Sequence, residues 1–191
     1  LGNNSNRIVI DKASLPNAVA GQMYSLWLAT GQPSAGVAPT TASVCNNELL
    51  GSIGFTQQTS PSKSYAAYSN AYCSNSAVTI EIHDRLVHMA GLSGLLTTSQ
   101  SVGIDISSYS SNNIVERIGD TNYSDVQWWM EWYSTTGATL SNATINVLYN
   151  DGTSGDLPVI AVGGTVRVSR LISLNGLVPL SASGKFIKGI N

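Results

Sequence analysis

The chain has 191 residues, and only 10% of them are charged, against about 25% in an ordinary soluble domain. Its net charge of −2 excludes a global field that would attract nucleic acid or a membrane surface. Hydrophobic residues make up 42% of the chain, which excludes general disorder and supports one domain with a sizeable core. Because a chain with so few charges is expected to be poorly soluble alone, we predict a built-in partner.

Neither a membrane span nor a secretory leader is indicated by the sequence. No apolar run reaches about 18 residues, so no transmembrane helix is expected. No signal-peptide pattern is present, and the chain starts at Leu1, which leaves open whether the N-terminus is processed or only trimmed.

The first 50 residues predict short elements joined by polar connectors. Residues 1–6 are polar and rich in asparagine, which predicts a flexible N-terminal arm, and residues 7–10 predict a first strand. Residues 20–29 fit either a strand or a helical turn, and we favour the strand. Residues 41–50 predict a short helix that begins after a threonine cap and ends before Gly51.

The middle of the chain contains a strongly alternating segment at residues 77–82. The pattern predicts a strand whose inner face carries Val78, Ile80 and Ile82. A second strand is expected at residues 101–106, followed by a polar turn.

Residues 123–134 hold three of the four tryptophans and alternate as a strand does. Val126, Trp128, Met130 and Trp132 share one apolar face, which suits a sheet core. The opposite face mixes aromatic and polar groups, which suits a partner surface or a shallow groove. The residues of this outer face that we assign to an interface are Trp129, Glu131 and Tyr133.

Further strands follow the tryptophan-rich stretch. A turn is predicted at residues 135–137, a strand at residues 143–149 and a hairpin turn at residues 150–155. Residues 157–162 are predicted to form the returning strand, residues 163–164 a second turn and residues 165–172 another strand. We therefore predict an all-β fold, mostly antiparallel with a short helix, as a single β-sandwich or jelly-roll-like domain over residues 1–191.

The charge distribution changes along the chain. Residues 1–156 carry five basic and eleven acidic residues, whereas no acidic residue follows Asp156. The four basic residues of the C-terminal segment are predicted to dock on the acidic face of a neighbour, unless the asymmetry is ordinary scatter: Arg167, Arg170, Lys185 and Lys188. Residues 184–191 would then be a C-terminal arm that reaches a second copy by strand addition.

Few residues suggest chemistry. His83 and His88 are five positions apart, which misses the spacing of a helical metal pair and puts them on opposite faces of a strand, so we predict no metal and no cofactor. Cys45 and Cys73 permit one disulfide, which the sequence leaves open. No facing carboxylate pair, phosphate loop or nucleophile motif is evident, and an enzyme is not expected.

The chain resembles a family of tailed-bacteriophage virion proteins. The resemblance lies in residues 24–27, 39–45, 84–94 and 123–133, together with residues 150–152. It implies a non-enzymatic structural part of the virion, either a head protein of the capsid or a head-decoration (cement) protein. Its partners would be copies of itself, for example in a trimer, and other virion proteins, with no nucleic acid and no membrane. The alternative is an extracellular carbohydrate-binding or adhesin-like module that stacks sugars on Trp129 and Tyr133.

Overall fold

The structure is a computed structural model that describes residues 8–15, 18–53, 59, 61, 70–74, 77–89, 92–112, 117–119 and 121–191. These residues form short antiparallel strands and almost no helix, which confirms the predicted all-β fold. The strands in chain order are β1 Asp11–Lys12, β2 Met23–Tyr24, β3 Gly31–Gln32, β4 Ser43–Val44, β5 Val87–His88, β6 Ile104–Asp105, β7 Trp129–Glu131, β8 Asn142–Ala143, β9 Asn146–Tyr149, β10 Ser154–Asp156, β11 Ile160–Ala161, β12 Arg170–Ser173 and β13 Ile187–Ile190. Short 3₁₀ helices cover Ile106–Asn112, Asn175–Leu177 and Leu180–Ala182. The predicted flexible arm at residues 1–6 lies outside the described residues.

The strands form five small sheets. The largest has four strands in the order β10-β9-β13-β6, and a second has three strands in the order β2-β12-β7. Three two-stranded sheets pair β1 with β3, β4 with β5 and β8 with β11. Every pairing is antiparallel.

One long hairpin, residues 128–174, organises the second half of the chain. Its base is closed by the amide of Leu174, which donates to the carbonyl of Trp128 at 2.8 Å. The two arms pair in three antiparallel ladders, β7 with β12, β8 with β11 and β9 with β10. Amide-to-carbonyl bonds bridge the irregular stretches between these ladders, for example from Thr165 to Gly137 at 2.8 Å.

The predicted hairpin turn at residues 150–155 is confirmed as the tip of the long hairpin. Leu148 pairs with Ser154, and Gly152 has a φ of 84°, a left-handed conformation that favours glycine. The Asp151 carboxylate accepts hydrogen bonds from the amide and hydroxyl of Thr153 at 2.9 and 2.6 Å. By contrast, residues 135–137 and 163–164 do not reverse the chain. Residues 136–137 lie opposite residues 165–166, and residues 163–164 lie opposite residues 139–141, because the pairing of the two hairpin arms continues through both segments.

The core lies between the long hairpin and the C-terminal strand. The alternation predicted for the tryptophan-rich stretch is confirmed, since Val126, Trp128 and Trp132 are buried and Met130 packs against the core. Trp128 donates from Nε1 to the carbonyl of Ile187 at 2.8 Å, which ties β13 to the tryptophan strand.

The predicted C-terminal arm is wrong. Residues 187–190 form β13, which lies between β9 and β6 in the largest sheet. Ile187 is fully buried. These residues are therefore an interior strand of this chain, because their apolar side chains complete the core rather than covering a neighbour.

The predicted helix over residues 41–50 is also wrong. Ser43 and Val44 pair with β5 instead, and the amide of Glu48 donates to Asn46 Oδ1 at 3.0 Å. Such a local side-chain bond stabilises a turn and competes with helix formation. The strand predicted at residues 7–10 is not formed by residues 8–10, and the first ladder begins at Asp11.

The strand predicted at residues 77–82 is not observed, since residues 78–82 belong to none of the sheets that the described residues form. Val78, Ile80 and Ile82 were expected on an inner face, but they are 51%, 44% and 65% exposed. Alternation shows that a segment suits a strand, but it does not provide a neighbouring edge to pair with.

Candidate functional site

A cluster of polar and aromatic side chains covers the outer face of the tryptophan strand. We call it the Arg85 cluster, and its members are Ser25, Trp27, Arg85, His88, Glu131 and Tyr133. Three separate parts of the sequence supply it. Ser25 and Trp27 follow β2. Arg85 precedes β5 and His88 lies in it, whereas Glu131 lies in β7 and Tyr133 follows it.

Arg85 is the centre of the cluster. Its Nη2 donates to Glu131 Oε2 at 2.9 Å and to Ser25 Oγ at 3.3 Å. Its Nη1 donates to the Tyr133 hydroxyl at 3.5 Å. The guanidinium carbon also lies 4.7 Å from the ring centroid of Trp27, a cation–π geometry.

The Arg85–Glu131 ion pair is largely removed from water. The Glu131 side chain is 7% exposed and that of Arg85 is 26% exposed. A buried carboxylate needs a cation and a hydrogen-bond donor, and the Arg85 guanidinium supplies both to Glu131 Oε2 through Nη2. Burial, followed by the charge of Glu131, raises the pKa of Tyr133 to about 12.

Buried polar atoms without a partner gather in the same cluster. Trp27 Nε1, His88 Nδ1 and Glu131 Oε1 have no hydrogen-bond partner among the residues that the structure describes. His88 packs edge-on against Trp27, with 5.9 Å between ring centroids. Burial, then the nearby charge of Arg85, lowers the pKa of His88 and favours the neutral imidazole.

The neighbouring residues His83 and Asp84 point to other partners. His83 Nε2 is 2.9 Å from Glu81 Oε2, and its ring lies against Trp129 with centroids 5.9 Å apart. Asp84 accepts two hydrogen bonds from Arg117, at 2.9 and 2.6 Å. Arg117 also donates to the carbonyls of Cys45 and Arg85. His83 and His88, which the sequence analysis considered as a metal-binding pair, therefore lie in different surroundings. The part of the chain that the structure describes holds no group of three or more metal-ligating side chains.

The predicted interface residues of the tryptophan strand are brought together, but they are not free. Trp129, Glu131 and Tyr133 are all partly buried beneath residues 83–88. Their contact with a second copy or another protein stays a prediction. The geometry limits it to the portions of Trp129 and Tyr133 that remain exposed.

The four basic residues of the C-terminal segment are spread over the fold. Lys185 Nζ lies 2.9 Å from Asp151, and Lys188 Nζ lies 3.2 Å from Asp105. The guanidinium of Arg170 lies 6.0 Å from the centroid of Trp132. Arg167 is exposed. Two of the four charges are thus paired with acidic residues of the same chain.

The two cysteines are not joined. Cys45 is buried and free, and Cys73 is exposed and free. Burial raises the pKa of Cys45 to about 11, although the charges of Arg85 and Arg117 lower it in part. The disulfide that the sequence left open is therefore not formed in the structure.

The sequence analysis did not identify Arg85 as a site residue. A usable signal was Glu131 itself, since a carboxylate placed among three tryptophans requires a counter-charge. With nine basic residues in the chain, the candidates were few. The sequence separation of 46 residues between Arg85 and Glu131 hid the pair from local pattern reading.

No family model, no curated protein and no solved structure matches this chain. Among the described residues, none of the helices is long and apolar enough to span a membrane.

Proposed function

We propose that the protein is a non-enzymatic structural subunit of a bacteriophage particle, a capsid-associated protein of the decoration (cement) kind, which completes its fold against copies of itself. The Arg85 cluster then has a structural role, since it fixes the segment around β5 on the tryptophan strand. The virion part of the proposal rests on the resemblance to virion proteins. The assembly part rests on how this chain distributes its apolar side chains.

The observation that carries the assembly proposal is an imbalance between the two halves of the chain. Among the described residues, fourteen of the sixteen buried hydrophobic residues lie in residues 104–190. Fourteen of the eighteen exposed large hydrophobic residues lie in residues 8–96. The second half therefore has its own core, whereas the first half has apolar side chains that only another surface can bury.

The total exposed surface supports the same proposal. The chain exposes 12863 Å² for a mass of 20.1 kDa. A compact monomer of that mass exposes about 8,700 Å². The excess of about 4,000 Å² per chain is larger than the roughly 1,000–2,500 Å² that each subunit buries in an obligate interface. A low content of charged residues has the same implication, because desolvating such a surface costs little.

The carbohydrate-binding alternative receives less support from the geometry. Sugar stacking needs open aromatic faces, but the Trp129 ring is packed against His83 and the Tyr133 hydroxyl accepts from Arg85. We therefore keep sugar binding as an outcome of the test rather than as a second proposal.

The test is the native mass of the purified chain, measured by light scattering over a hundredfold range of concentration at low and high salt. We expect a closed oligomer or a larger assembly that persists at high salt, because apolar contacts are screened little by ions. A monomer under all conditions would refute the assembly proposal, and a glycan-binding screen would follow.

The virion proposal has a separate test. Peptide mass spectrometry of density-purified phage particles should detect the chain at a stoichiometry comparable to that of a lattice protein. Its absence from purified particles would refute the virion proposal even if the chain assembles.

A further inference from the structure

Residues 78–82 are a strand-like surface segment that pairs with no other strand of the described residues. Val78, Ile80 and Ile82 are all exposed, and they alternate with Thr79 and Glu81. Their backbone groups make no hydrogen bond to any other residue that the structure describes. An exposed segment of this composition is a template for pairing with another chain.

The residues that follow hold this segment in place. His83 packs against Trp129, and Arg85 forms the buried ion pair with Glu131. Two residues further on, β5 pairs with β4. The segment is therefore attached at its C-terminal end to the tryptophan strand, so that a partner would meet a fixed edge.

The apolar pattern of the segment is symmetric about Ile80. If two copies pair antiparallel with Ile80 opposite Ile80, then Val78 of each copy lies opposite Ile82 of the other. Residues directly opposite in an antiparallel ladder point to the same face of the sheet. All six apolar side chains would then form one continuous face, which no chain can form by itself.

The electrostatics of this register are also favourable. Glu81 of each copy lies opposite Thr79 of the other, so no like charges are directly opposed. Glu81 also has a local partner in His83, at 2.9 Å. Edge strands of monomeric proteins are commonly protected from pairing by lysine or proline, and residues 77–82 contain neither.

We propose that residues 78–82 form a self-complementary docking strand, which pairs antiparallel with the same residues of a second copy about a two-fold axis through Ile80. The inference rests on the proposed function, because it names one of the contacts through which the subunits assemble. The excess exposed surface supports a copy of this chain as the occupant, since it exceeds what a stable dimer needs to bury. A two-fold contact of this kind is isologous, with the same surface contributed by both subunits.

Cysteine cross-linking tests the register directly. In a Cys73→Ser background, which removes the exposed native thiol, Ile80→Cys should form a disulfide-linked dimer under mild oxidation. Opposed residues of a ladder have Cα atoms about 4.5–5.5 Å apart, within the reach of a disulfide.

The matched control is Ile82→Cys in the same background. In the proposed register, position 82 of one copy lies four residues along the ladder from position 82 of the other, about 13 Å away, which is beyond the reach of a disulfide. This variant should remain unlinked, whereas an equimolar mixture of Val78→Cys and Ile82→Cys chains should link. Equal linking of Ile80→Cys and Ile82→Cys would overturn the antiparallel register.

A second measurement separates this inference from the proposed function. Ile80→Lys should raise the dissociation constant of the assembly at least about 100-fold, because both copies lose a buried isoleucine. Val159→Lys, at a residue that is also exposed but lies on the long hairpin, should leave the assembly unchanged. An oligomer that is insensitive to Ile80→Lys and does not link through residue 80 would refute the docking strand alone. A wild-type chain that stays monomeric would refute the proposed function as well.

Discussion

Removal of the charge of Arg85 should destabilise the fold strongly. We choose Arg85→Met, since methionine keeps a long side chain against the Trp27 ring, which lies 4.7 Å from the guanidinium. The substitution leaves the Glu131 carboxylate, 7% exposed, without its cation. Breaking a buried ion pair from one side costs about 3–5 kcal/mol. Because the Arg85 side chain is itself 26% exposed, we expect the lower end of that range.

The double substitution Arg85→Met with Glu131→Leu should recover most of this loss. Replacing both partners by apolar side chains removes the uncompensated charge, and such replacements are often neutral or stabilising. We expect the free energy of unfolding of the double variant to lie within about 1 kcal/mol of wild type. Tyr133 and Ser25 each lose a hydrogen bond from Arg85 in both variants, so that cost cancels between the single and the double variant and remains only in the comparison with wild type.

The assay is urea denaturation followed by tryptophan fluorescence. Protein concentration must be held constant, because assembly contributes to apparent stability. A loss of 3 kcal/mol corresponds to a melting temperature about 6–12 °C lower for a chain of this length. A double variant as unstable as the sum of the two single variants would refute the reasoning, since it would mean that the two charges do not interact.

Three further predictions follow from the core and from its titratable groups. Truncation after Gly184 should abolish cooperative unfolding, because it removes β13 from the interior of the largest sheet, and Ile187→Ala should cost about 2–5 kcal/mol by the same denaturation assay. His88 has a folded-state pKa below its ordinary value of 6.5, so its contribution to stability is present above that pH and is lost as the pH falls through the folded pKa. Unfolding curves of His88→Phe should lack this part of the pH dependence, and an unchanged pH profile would contradict the assignment. A thiol reagent at pH 8 should label Cys73 in the native protein and reach Cys45, which is buried with a pKa of about 11, only after denaturation. Two thiols labelled at equal rates in the native state would contradict this burial.

Alternation predicted the buried face correctly in the tryptophan-rich stretch, where Val126, Trp128 and Trp132 are buried, but not at residues 78–82. The hairpin tip could be predicted as well, because Asp151 and Gly152 are local determinants of a turn. These features depend only on residues that are close in sequence.

The features that could not be predicted depend on pairing between distant residues. Nothing local distinguishes residues 78–82, which form no ladder with the other residues that the structure describes, from residues 187–190, which occupy the interior of a sheet. Both segments are short and β-branched, and only the available edges of the other strands decide between them. The same limit applied to Arg85, whose partner lies 46 residues away.

The position of β13 has a consequence for how copies of this chain can meet. A tail that lay on the surface could cross to a neighbour without disturbing its own subunit. The observed tail cannot do so, because β13 separates β9 from β6 and covers the indole of Trp128. Exchange of β13 between subunits would require each of them to open its core first. In the proposed assembly, the contacts between subunits would therefore come from surfaces that are already exposed and apolar, and most of those described lie in residues 8–96. Within that half, residues 78–82 combine exposed β-branched side chains with backbone groups that bond to no other described residue, and they are fixed at one end by the Arg85–Glu131 pair. Loss of that pair is thus expected to loosen the docking strand as well as the fold, and Arg85→Met should weaken assembly at urea concentrations that leave the core of the long hairpin intact.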